Sequence, residues 1–514
     1  MRSTHRLSGL VLALALVASA CGGADEVEDA ADESQAGVDD DSVSDAMAMA
    51  DDDADDGAAA SGAPATMEEY EALWAEQRAE VVALLSSDEY GLGEDDILRG
   101  PGGFEVDLGR CPTNWSATEG VEGDTIKLAE VLPLSGPIAD QGRMAGGMES
   151  YYAYVNENGG VAGKQIELVT RDGYEANLVV EAVDDLLTNE RPFAVSTFGT
   201  PGTFAVADTL NQRCVPQPLV WTGHPAFGDP GGKPWTTGLP LSYQTEAVLW
   251  GNWIAQNVEN LPVTVGALVM DNDFGGAYAD TFAAWAADHP EVIAEFNPVR
   301  HDPATTDVSA ELATITAGEP DVYISMTGGA ACLLAVEAVA ESGLAETAAA
   351  RFTTSVCTDP SAYLAPAGDD GDGFLSVTGG TKNTTDSRFA DDVFVSFAKE
   401  RLEADGRETT VTSYGNGFGT KGWPVVEALR IAAELEGGLT RANYLLAHHA
   451  LHFKHPYLVD GVAFSTNGAE DAYLIEGTEF ARYDAANASW VAEGGVIDLD
   501  GLAGSCSWDG TSCS

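Results

Sequence analysis

The stretch LPLSGPIADQGRMAGGMESYYAYVNENGGVAGKQIELVTRDG, residues 132–173, decides the fold class of this chain. It begins at the end of an apolar strand, runs through a helical pattern at 141–156 and ends on a second strand at 164–172. Between the helix and that strand lies the turn NGGVAG, 158–163, where glycine supplies the positive φ values that such a turn needs. The stretch therefore predicts a βαβ unit with parallel strands.

The same alternation of strand and helix continues downstream. Right-handed crossovers place the carboxyl ends of such strands, and any ligand, at one edge of each sheet. Two series of segments predict an α/β fold of two Rossmann-like lobes with parallel sheets. The further strand segments are FAVSTF (193–198), PLVWTG (218–223), VTVGALVMD (263–271), EVIAEFNPV (291–299), DVYISMTG (321–328) and RFTTSV (351–356).

Length and charge limit the class of protein. The chain has 514 residues, enough for roughly two to four folded units. Acids outnumber bases by 83 to 24, which gives a formal charge of −59. So acidic a chain lacks the basic face that binds nucleic acid or anionic lipid headgroups. Because 45% of the residues are hydrophobic, disorder of the whole chain is also excluded.

The N-terminus predicts export. Residues 1–20 combine two arginines with a short apolar core, which is typical of a secretory signal peptide. The small residues before Cys21 resemble a bacterial lipobox, in which that cysteine becomes the lipidated first residue; the alternative is ordinary cleavage beside a chance cysteine. Fifteen acids and no base follow between Asp25 and Asp56. We expect 21–66 to be a disordered tether, extended by self-repulsion.

The segment 67–123 is predicted to form a helix, over 67–86, and an irregular connector. Six cysteines besides Cys21 form an even set, which in an exported chain indicates disulfides. Fifteen connectivities are open, and the sequence alone does not decide between them. Cys506–Cys513 would close a short loop, Cys332–Cys357 fits a pair within one lobe, and Cys111–Cys214 would remain.

The motifs of 132–173 also carry a resemblance to a known family. PLSGP, 133–137, follows the first strand, Gly142 comes after it, and NGGVAG precedes the second strand. This combination resembles the opening of bacterial ABC-transporter substrate-binding proteins of the branched-chain amino acid family, and the similarity continues to about Gly495. The resemblance implies a type I periplasmic binding protein fold, in which two lobes joined by three hinge crossovers close on a solute.

The resemblance also implies the domain boundaries. The first lobe is expected over 124–243 and 378–454, and the second over 244–377 and 455–497. A cysteine-containing tail, 498–514, completes the chain. Each lobe is thus expected to combine two separate segments of the chain, which passes between the lobes three times.

By the same resemblance, the first lobe contributes ligand contacts at three strand ends. Thr200 could instead be only a helix N-cap, and His224 could be packed away from the cleft. Pro225 stands about where amino-acid binders have a hydroxyl, so Thr222 and His224 are candidate replacements and amino-acid specificity is open. The candidates are Ser135, then Gly199 and Thr200 at a helix N-terminus suited to a carboxylate, then Thr222, Gly223 and His224.

The second lobe is expected to contribute three residues. Phe274 would cover the apolar part of the ligand, or else pack locally. Thr327 lies where the family often has an aromatic residue, which implies a roomier pocket or a different ligand. Asp359 could bind a ligand ammonium group, although Asp before Pro360 also commonly forms a turn.

Three other features of the sequence bear on metal binding and catalysis. His448, His449, His452 and His455 could include a zinc pair, but no carboxylate lies in the run, which favours a solvated helix end. The run at 271–282 resembles a calcium loop only faintly, because its twelfth residue is Phe282. The sequence contains no GxSxG, Walker or GxGxxG motif in the expected context, so we expect no enzyme activity, cofactor or metal.

We therefore expect a lipid-anchored, monomeric solute-binding component of an ABC importer at the outer face of the cytoplasmic membrane. It would capture a small polar solute, such as an amino acid or amide, and present it to a membrane permease. One alternative is a ligand-sensing receptor domain on the same fold, and a further one is an exported hydrolase.

Overall fold

The computed structural model describes residues 39–54, 64–136, 138–502, 505–508 and 513. The predicted signal peptide and Cys21 lie outside the described residues, as do residues 22–38 and 55–63 of the predicted tether. In the part of the chain that is described, no helix is long and apolar enough to cross a membrane.

An N-terminal region precedes the first lobe. The predicted helix over 67–86 is confirmed, whereas the predicted irregular connector contains a small antiparallel sheet in the order β1-β2-β3. The elements are α1 (Asp40–Ala54), α2 (Met67–Leu85), β1 (Gly91–Leu92), β2 (Ile97–Arg99) and β3 (Glu105–Asp107).

The first lobe begins with a parallel sheet in which β5 lies between β6 and β7. A parallel bridge between Phe198 and Trp221 continues the sheet from β7 to the β8–β9 pair. The elements are β4 (Val121–Glu122), β5 (Thr125–Leu132), α3 (Ala139–Gly142), α4 (Met144–Glu157), β6 (Gln165–Asp172), α5 (Ala176–Asp185), β7 (Ala194–Thr197), α6 (Thr200–Gln212), β8 (Gln217–Val220) and β9 (Thr236–Gly238).

The second lobe contains a seven-stranded sheet in the order β11-β10-β12-β13-β14-β17-β18, parallel up to β14 and antiparallel beyond it. Strand β10 is buried along nearly all its length, as a central parallel strand must be. The first elements are α7 (Tyr243–Asn257), β10 (Val263–Met270), α8 (Asp273–Asp288), β11 (Ile293–His301), α9 (Ser309–Ala317), β12 (Val322–Met326), α10 (Ala330–Ser342), α11 (Leu344–Thr347), β13 (Ala350–Thr353) and β14 (Leu375–Val377).

The chain then returns to the first lobe and finally completes the second. The returning elements are α12 (Val393–Ala404), α13 (Thr412–Gly415), α14 (Trp423–Glu434), α15 (Arg441–His448), β15 (His452–Lys454) and β16 (Ala463–Ser465), followed in the second lobe by β17 (Thr478–Asp484) and β18 (Ser489–Ile497). The chain thus passes between the lobes three times, after β9, β14 and β16, and the predicted two-lobed α/β class is confirmed.

The third crossover lies later than predicted. Residues 455–465 were expected in the second lobe, but Phe464 is fully buried in the first-lobe core, together with Phe453, its partner across the β15–β16 hairpin. His455, which stacks on Trp74 of α2, belongs to the same core. The passage therefore occurs in 466–477, because the hairpin needs the aromatic side chains of the first lobe to cover it.

Part of the predicted disordered tether is helical. Helix α1 buries Val43, Ala46, Met47 and Ala50, which share one face at helical spacing, and it packs on α7 and β18 of the second lobe. The carboxylate of Asp40 accepts hydrogen bonds from Asn252 Nδ2 and Trp285 Nε1, each at 2.6 Å. Small apolar residues among the acids thus bury enough surface to order this stretch.

Three disulfides join the same cysteine pairs that the sequence analysis favoured, Cys111–Cys214, Cys332–Cys357 and Cys506–Cys513. The first ties the N-terminal connector to the first lobe, just after α6. The second lies within the second lobe, between α10 and the turn that follows β13. The third closes a loop in the C-terminal tail.

The histidine run is not a solvated helix end. His448, His449 and His455 are all at most 4% exposed, whereas His452 lies on the surface of β15. His449 stacks on Phe104 at a ring distance of 3.9 Å, and His448 packs edge-on against Tyr444 at 4.5 Å. Burial lowers the pKa of His448 to about 3 and that of His449 to about 4, so both are neutral core residues.

Candidate ligand-binding site

The carboxyl ends of the first-lobe strands carry a row of hydroxyl groups. The side-chain oxygens of Thr200 and Thr222 lie 2.7 Å apart, and both residues are buried. Burial raises the pKa of Tyr243, at the start of α7, to about 12, and the neighbouring Thr222 side chain opposes the rise. Two strand ends and the first crossover thereby meet at one place, as the edge rule for parallel sheets predicts.

The N-terminus of α6 opens at this row. Gly199 precedes it with φ +78° and ψ 151°, a conformation essentially restricted to glycine, and no side chain caps the first turn. Thr200 is therefore the first helical residue, and the N-cap is Gly199 rather than Thr200. An uncapped helix N-terminus presents free N–H groups and a positive dipole end, which suit a carboxylate or another oxygen of a ligand.

Two further first-lobe residues lie at the same edge. Ser135 is exposed, and both its backbone N–H and its hydroxyl donate to the carboxylate of Asp172. Tyr174 packs its ring against Gly199, so that a Cβ at position 199 would lie 2.8 Å from the Tyr174 Cε2 atom. Sequence reasoning missed Tyr174, whose signal is an aromatic residue two positions after the carboxyl end of β6.

Gly223 allows the first crossover to approach the sheet. A Cβ there would lie 2.3 Å from the carbonyl oxygen of Leu241 and 2.7 Å from the ring of Tyr243. Its own carbonyl accepts from the Tyr243 N–H at 2.8 Å. The role of Gly223 is therefore to bring Tyr243 to the row of hydroxyl groups.

His224 does not line the row. It is 6% exposed, its Nδ1 accepts from the Ala226 N–H at 3.2 Å, and its ring packs among those of Phe204, Phe227 and Trp508. Burial lowers the pKa of His224 to about 3. The structure thus corrects the expectation of a ligand contact, because the C-terminal tail with Trp508 covers this face of the loop.

The edge of the second lobe is aromatic. Phe274 lies at the start of α8, 8% exposed, with its ring 5.1 Å from Tyr243 and 5.4 Å from Tyr278. A Cβ on Gly328, in the loop after β12, would lie 3.4 Å from the Phe274 ring. Phe274 therefore joins the second-lobe strand ends to the first crossover, beside the row of hydroxyl groups.

Two other second-lobe candidates are engaged within the protein. The hydroxyl of Thr327 bonds to Nε2 of His301 at 2.8 Å and is fully buried. The carboxylate of Asp359 accepts from the N–H and hydroxyl of Ser361 at 2.8 and 2.7 Å, which is the turn-forming alternative. Burial raises the pKa of Asp359, while hydrogen bonds from Ser361 and from Thr412 of the first lobe oppose the rise.

A buried carboxylate that the sequence analysis missed supports the aromatic edge. Glu246 of α7 is fully buried and accepts from the N–H of Ser355 at 2.7 Å, from its hydroxyl at 2.8 Å and from the Tyr278 hydroxyl at 2.8 Å. Among the described residues no cation forms an ion pair with it, and burial raises the pKa of Glu246 to about 7. Its signal is a lone charge at the start of the apolar helix segment EAVLWGNW, 246–253.

The two lobes contact each other at this site. Gln141 of α3 donates to the hydroxyl of Tyr363 in the second lobe at 2.9 Å. The Ile138 side chain occupies the space beside Gly329, because a Cβ atom on residue 329 would lie 2.4 Å from Ile138 Cγ2. The two lobes are thus in direct contact on this side of the molecule.

Comparison with known proteins decides the family. A family model described as periplasmic binding protein matches residues 125–486. The chain belongs to the periplasmic binding protein family. No curated protein sequence matches this chain.

Solved structures show the same fold at low sequence identity. This periplasmic binding protein is similar to a branched-chain amino acid ABC transporter structure from Thermus thermophilus with bound valine, at 18% identity and a TM-score of 0.63, covering 74% of this chain and 97% of the other. It is also similar to a fatty acid ABC transporter substrate-binding protein from Thermomonospora curvata, at 19% identity and a TM-score of 0.61, covering 80% and 97%. A third, a solute-binding protein from Rhodopseudomonas palustris in complex with p-hydroxybenzoic acid, has 18% identity and a TM-score of 0.61, covering 73% and 97%.

These findings confirm the resemblance drawn from 132–173 and the type I periplasmic binding fold. The family is one of solute-binding proteins, and its members act outside the cytoplasm. The matched region begins at β5 and ends just after β17, so it spans both lobes and all three crossovers.

Proposed function

We propose that this protein is the extracytoplasmic solute-binding component of an ABC importer. The observation that supports the proposal is the meeting of strand ends around Tyr243, where the Thr200–Thr222 pair and the uncapped α6 N-terminus lie on the first-lobe side and Phe274 packs on Tyr243 from the second lobe. A polar edge and an apolar edge suit a small solute with a carboxylate or other oxygen at one end and an apolar body at the other. The protein would act by binding and would not catalyse a reaction.

The solute is proposed by chemistry. The similar structures carry valine and p-hydroxybenzoic acid, both of which combine a carboxylate with an apolar body. In this chain the Asp359 carboxylate, the candidate partner for a ligand ammonium group, already accepts hydrogen bonds from the N–H and hydroxyl of Ser361. We therefore place carboxylates without an obligatory ammonium group, aromatic acids among them, ahead of amino acids.

A ligand screen tests the function. The full exported chain is heated with panels of aromatic acids, amino acids, amides and urea-like compounds. A ligand present at about 100 times its Kd adds roughly 2.7 kcal/mol to the free energy of unfolding, so one panel should raise the Tm by a few degrees. If no panel changed the Tm and a compound were instead turned over, the hydrolase alternative would replace the proposal.

The membrane anchor is proposed separately. Cys21 would carry the lipid, and the acidic residues between it and α1 would separate the lobes from the membrane surface, which their charge does not attract. Metabolic labelling with a radioactive fatty acid should mark the wild-type chain but not Cys21→Ala, which should be released into the medium or periplasm. Labelling of both proteins would contradict an anchor at Cys21.

A further inference from the structure

Three carboxylates converge at the third crossover. Asp471 and Glu476 lie on the crossover itself, 5% and 4% exposed, and Asp500 is exposed in the segment that follows β18. One oxygen from each residue lies within 4.8 Å of the others. The group therefore joins two parts of the chain that are separated by the whole β17–β18 hairpin.

The negative charge of this group lacks a partner in the protein. Among the described residues, no lysine, arginine or histidine forms an ion pair with any of the three carboxylates. The hydrogen bonds are few: the Tyr473 N–H donates to Asp471 at 3.3 Å, and the Gly501 N–H donates to Glu476 Oε2 at 2.7 Å. Asp498, also exposed, adds a fourth carboxylate nearby, and its negative charge contributes to raising the pKa of Glu476.

Glu476 supplies an independent sign of a ligand. Its second oxygen, Oε1, is buried and has no hydrogen-bond partner among the described residues, although the side chain is 96% removed from solvent. A buried carboxylate oxygen without a donor is costly, and natural proteins compensate it with a donor, a proton or a metal ion. The exposed Asp500 leaves the group open to solvent on one side, which gives an ion a path of entry.

We propose that Asp471, Glu476 and Asp500 bind a divalent cation of the calcium type. All the donors are carboxylate oxygens, which suit hard cations, whereas zinc and copper sites draw on histidine or cysteine. Three carboxylates can supply three to six oxygens, and water completes the six to eight ligands that Ca²⁺ takes. Mg²⁺ fits less well, because it retains most of its water and rarely uses a partly buried set of protein ligands.

The bound cation would fix the hinge. Neighbouring contacts tie the C-terminal segment both to the third crossover and to the first lobe, since the Ser505 N–H donates to the Glu470 carbonyl at 3.2 Å and the Cys506 N–H to the Gly228 carbonyl at 2.8 Å. The Tyr473 hydroxyl, in turn, donates to the Pro225 carbonyl at 3.1 Å. A cation at this point would tie the C-terminal segment to the third crossover and hold that crossover against the first lobe.

Calcium titration of the full chain tests the proposal. After treatment with EDTA, the wild-type protein should bind Ca²⁺ by calorimetry with a Kd on the order of 10⁻⁴–10⁻³ M, the range of extracellular sites. The Tm should rise with Ca²⁺ and much less with the same concentration of Mg²⁺. The double variant Asp471→Asn/Glu476→Gln should lose both responses, whereas Asp369→Asn/Asp370→Asn, which removes the same charge from an exposed acidic turn, should keep them.

A milder variant guards against misfolding. Asp500→Asn changes only the exposed ligand, so it should fold normally and weaken Ca²⁺ binding by about tenfold. The proposal is overturned if the wild-type protein shows no Ca²⁺ response, or if Asp500→Asn and the exposed-turn control respond alike. The proposal is also overturned if Glu476→Gln has the same Tm as the wild-type protein both with and without Ca²⁺. That result would indicate that Asp471 and Glu476 share a proton, which neutralises the group without a metal ion.

Discussion

The two lobes bury charge beside the same cleft in different ways. In the first lobe, Lys421 Nζ lies 3.0 Å from Glu130 Oε1 and donates to the Leu219 carbonyl at 2.8 Å and to the Ser196 hydroxyl, so both charges are paired beneath the strand ends. In the second lobe, the buried carboxylate of Glu246 is met only by neutral donors of Ser355 and Tyr278. The first lobe therefore depends on a charge partner, and the second on protonation or on hydrogen bonds.

The groups at the strand ends also differ between the two lobes. The first-lobe edge is polar and consists of backbone and hydroxyl groups. The second-lobe edge is aromatic: Phe274 packs against Tyr278, whose hydroxyl donates to Glu246. Under the proposed function, a clamp built this way would orient a solute with one lobe and cover it with the other. Variants that act on one lobe alone should therefore separate stability, pH response and affinity.

Breaking the first-lobe ion pair should have the largest effect. Lys421→Met leaves Glu130 buried without a cation, which costs about 3–5 kcal/mol of the free energy of unfolding. The double variant Glu130→Leu/Lys421→Met removes both charges and should recover most of that loss. Urea denaturation measures both, and a double variant no more stable than Lys421→Met would show that the pair is not what holds this part of the lobe.

The second-lobe carboxylate should instead give a pH response. Its folded pKa of about 7 lies above the ordinary value of 4.5, so its contribution is fully present below about pH 4.5 and is lost as the pH rises to 7. Relative to Glu246→Gln, the wild-type protein should lose roughly 3 kcal/mol of stability across that interval. Urea denaturation from pH 4 to 8 measures the difference.

An exposed glutamate provides the control for this pH response. Glu259, just beyond the end of α7, is exposed, so Glu259→Gln should run parallel to the wild-type curve at every pH. A constant difference between wild type and Glu246→Gln would contradict the raised pKa and hence the unpaired character of this carboxylate.

The fold was predictable because it depends on local patterns. The βαβ alternation, the strand ends and the meeting of Thr200 with Thr222 all follow from apolar periodicity and from the edge rule for parallel sheets. The lobe to which 455–465 belongs was not predictable, because Phe464 is covered by aromatic residues such as Trp423 that come from elsewhere in the chain.

The site was predictable only in part, for the same reason. His224 lies at a strand end, where the sequence predicts a ligand contact, but Trp508, nearly three hundred residues later in the chain, packs on its ring. Asp40 looked like one acid of a tether, and its partners Asn252 and Trp285 are equally remote in sequence. Sequence position thus showed which groups reach the cleft edge, but not which of them the rest of the chain covers.

A smaller effect is expected from the glycine before α6. Gly199→Ala forces a conformation that alanine rarely adopts and directs a Cβ at the Tyr174 ring, so it should cost about 1–3 kcal/mol and also weaken ligand binding. Gly159→Ala has a similar positive φ of 99° but open space around it, in a turn far from the cleft. It should lower stability while leaving affinity unchanged, and equal losses of affinity would contradict the site.

The most direct test of the account is the affinity of Thr200 variants for the solute that the screen identifies. Calorimetry should show a loss of about tenfold, or about 1.4 kcal/mol, for Thr200→Ala, and near wild-type binding for Thr200→Ser, which keeps the hydroxyl. Thr203→Ala, one turn further along α6 and bonded to Thr197 at 2.9 Å, is the matched control and should bind as wild type does. Unchanged affinity in Thr200→Ala would contradict the first-lobe row as the anchor of the ligand.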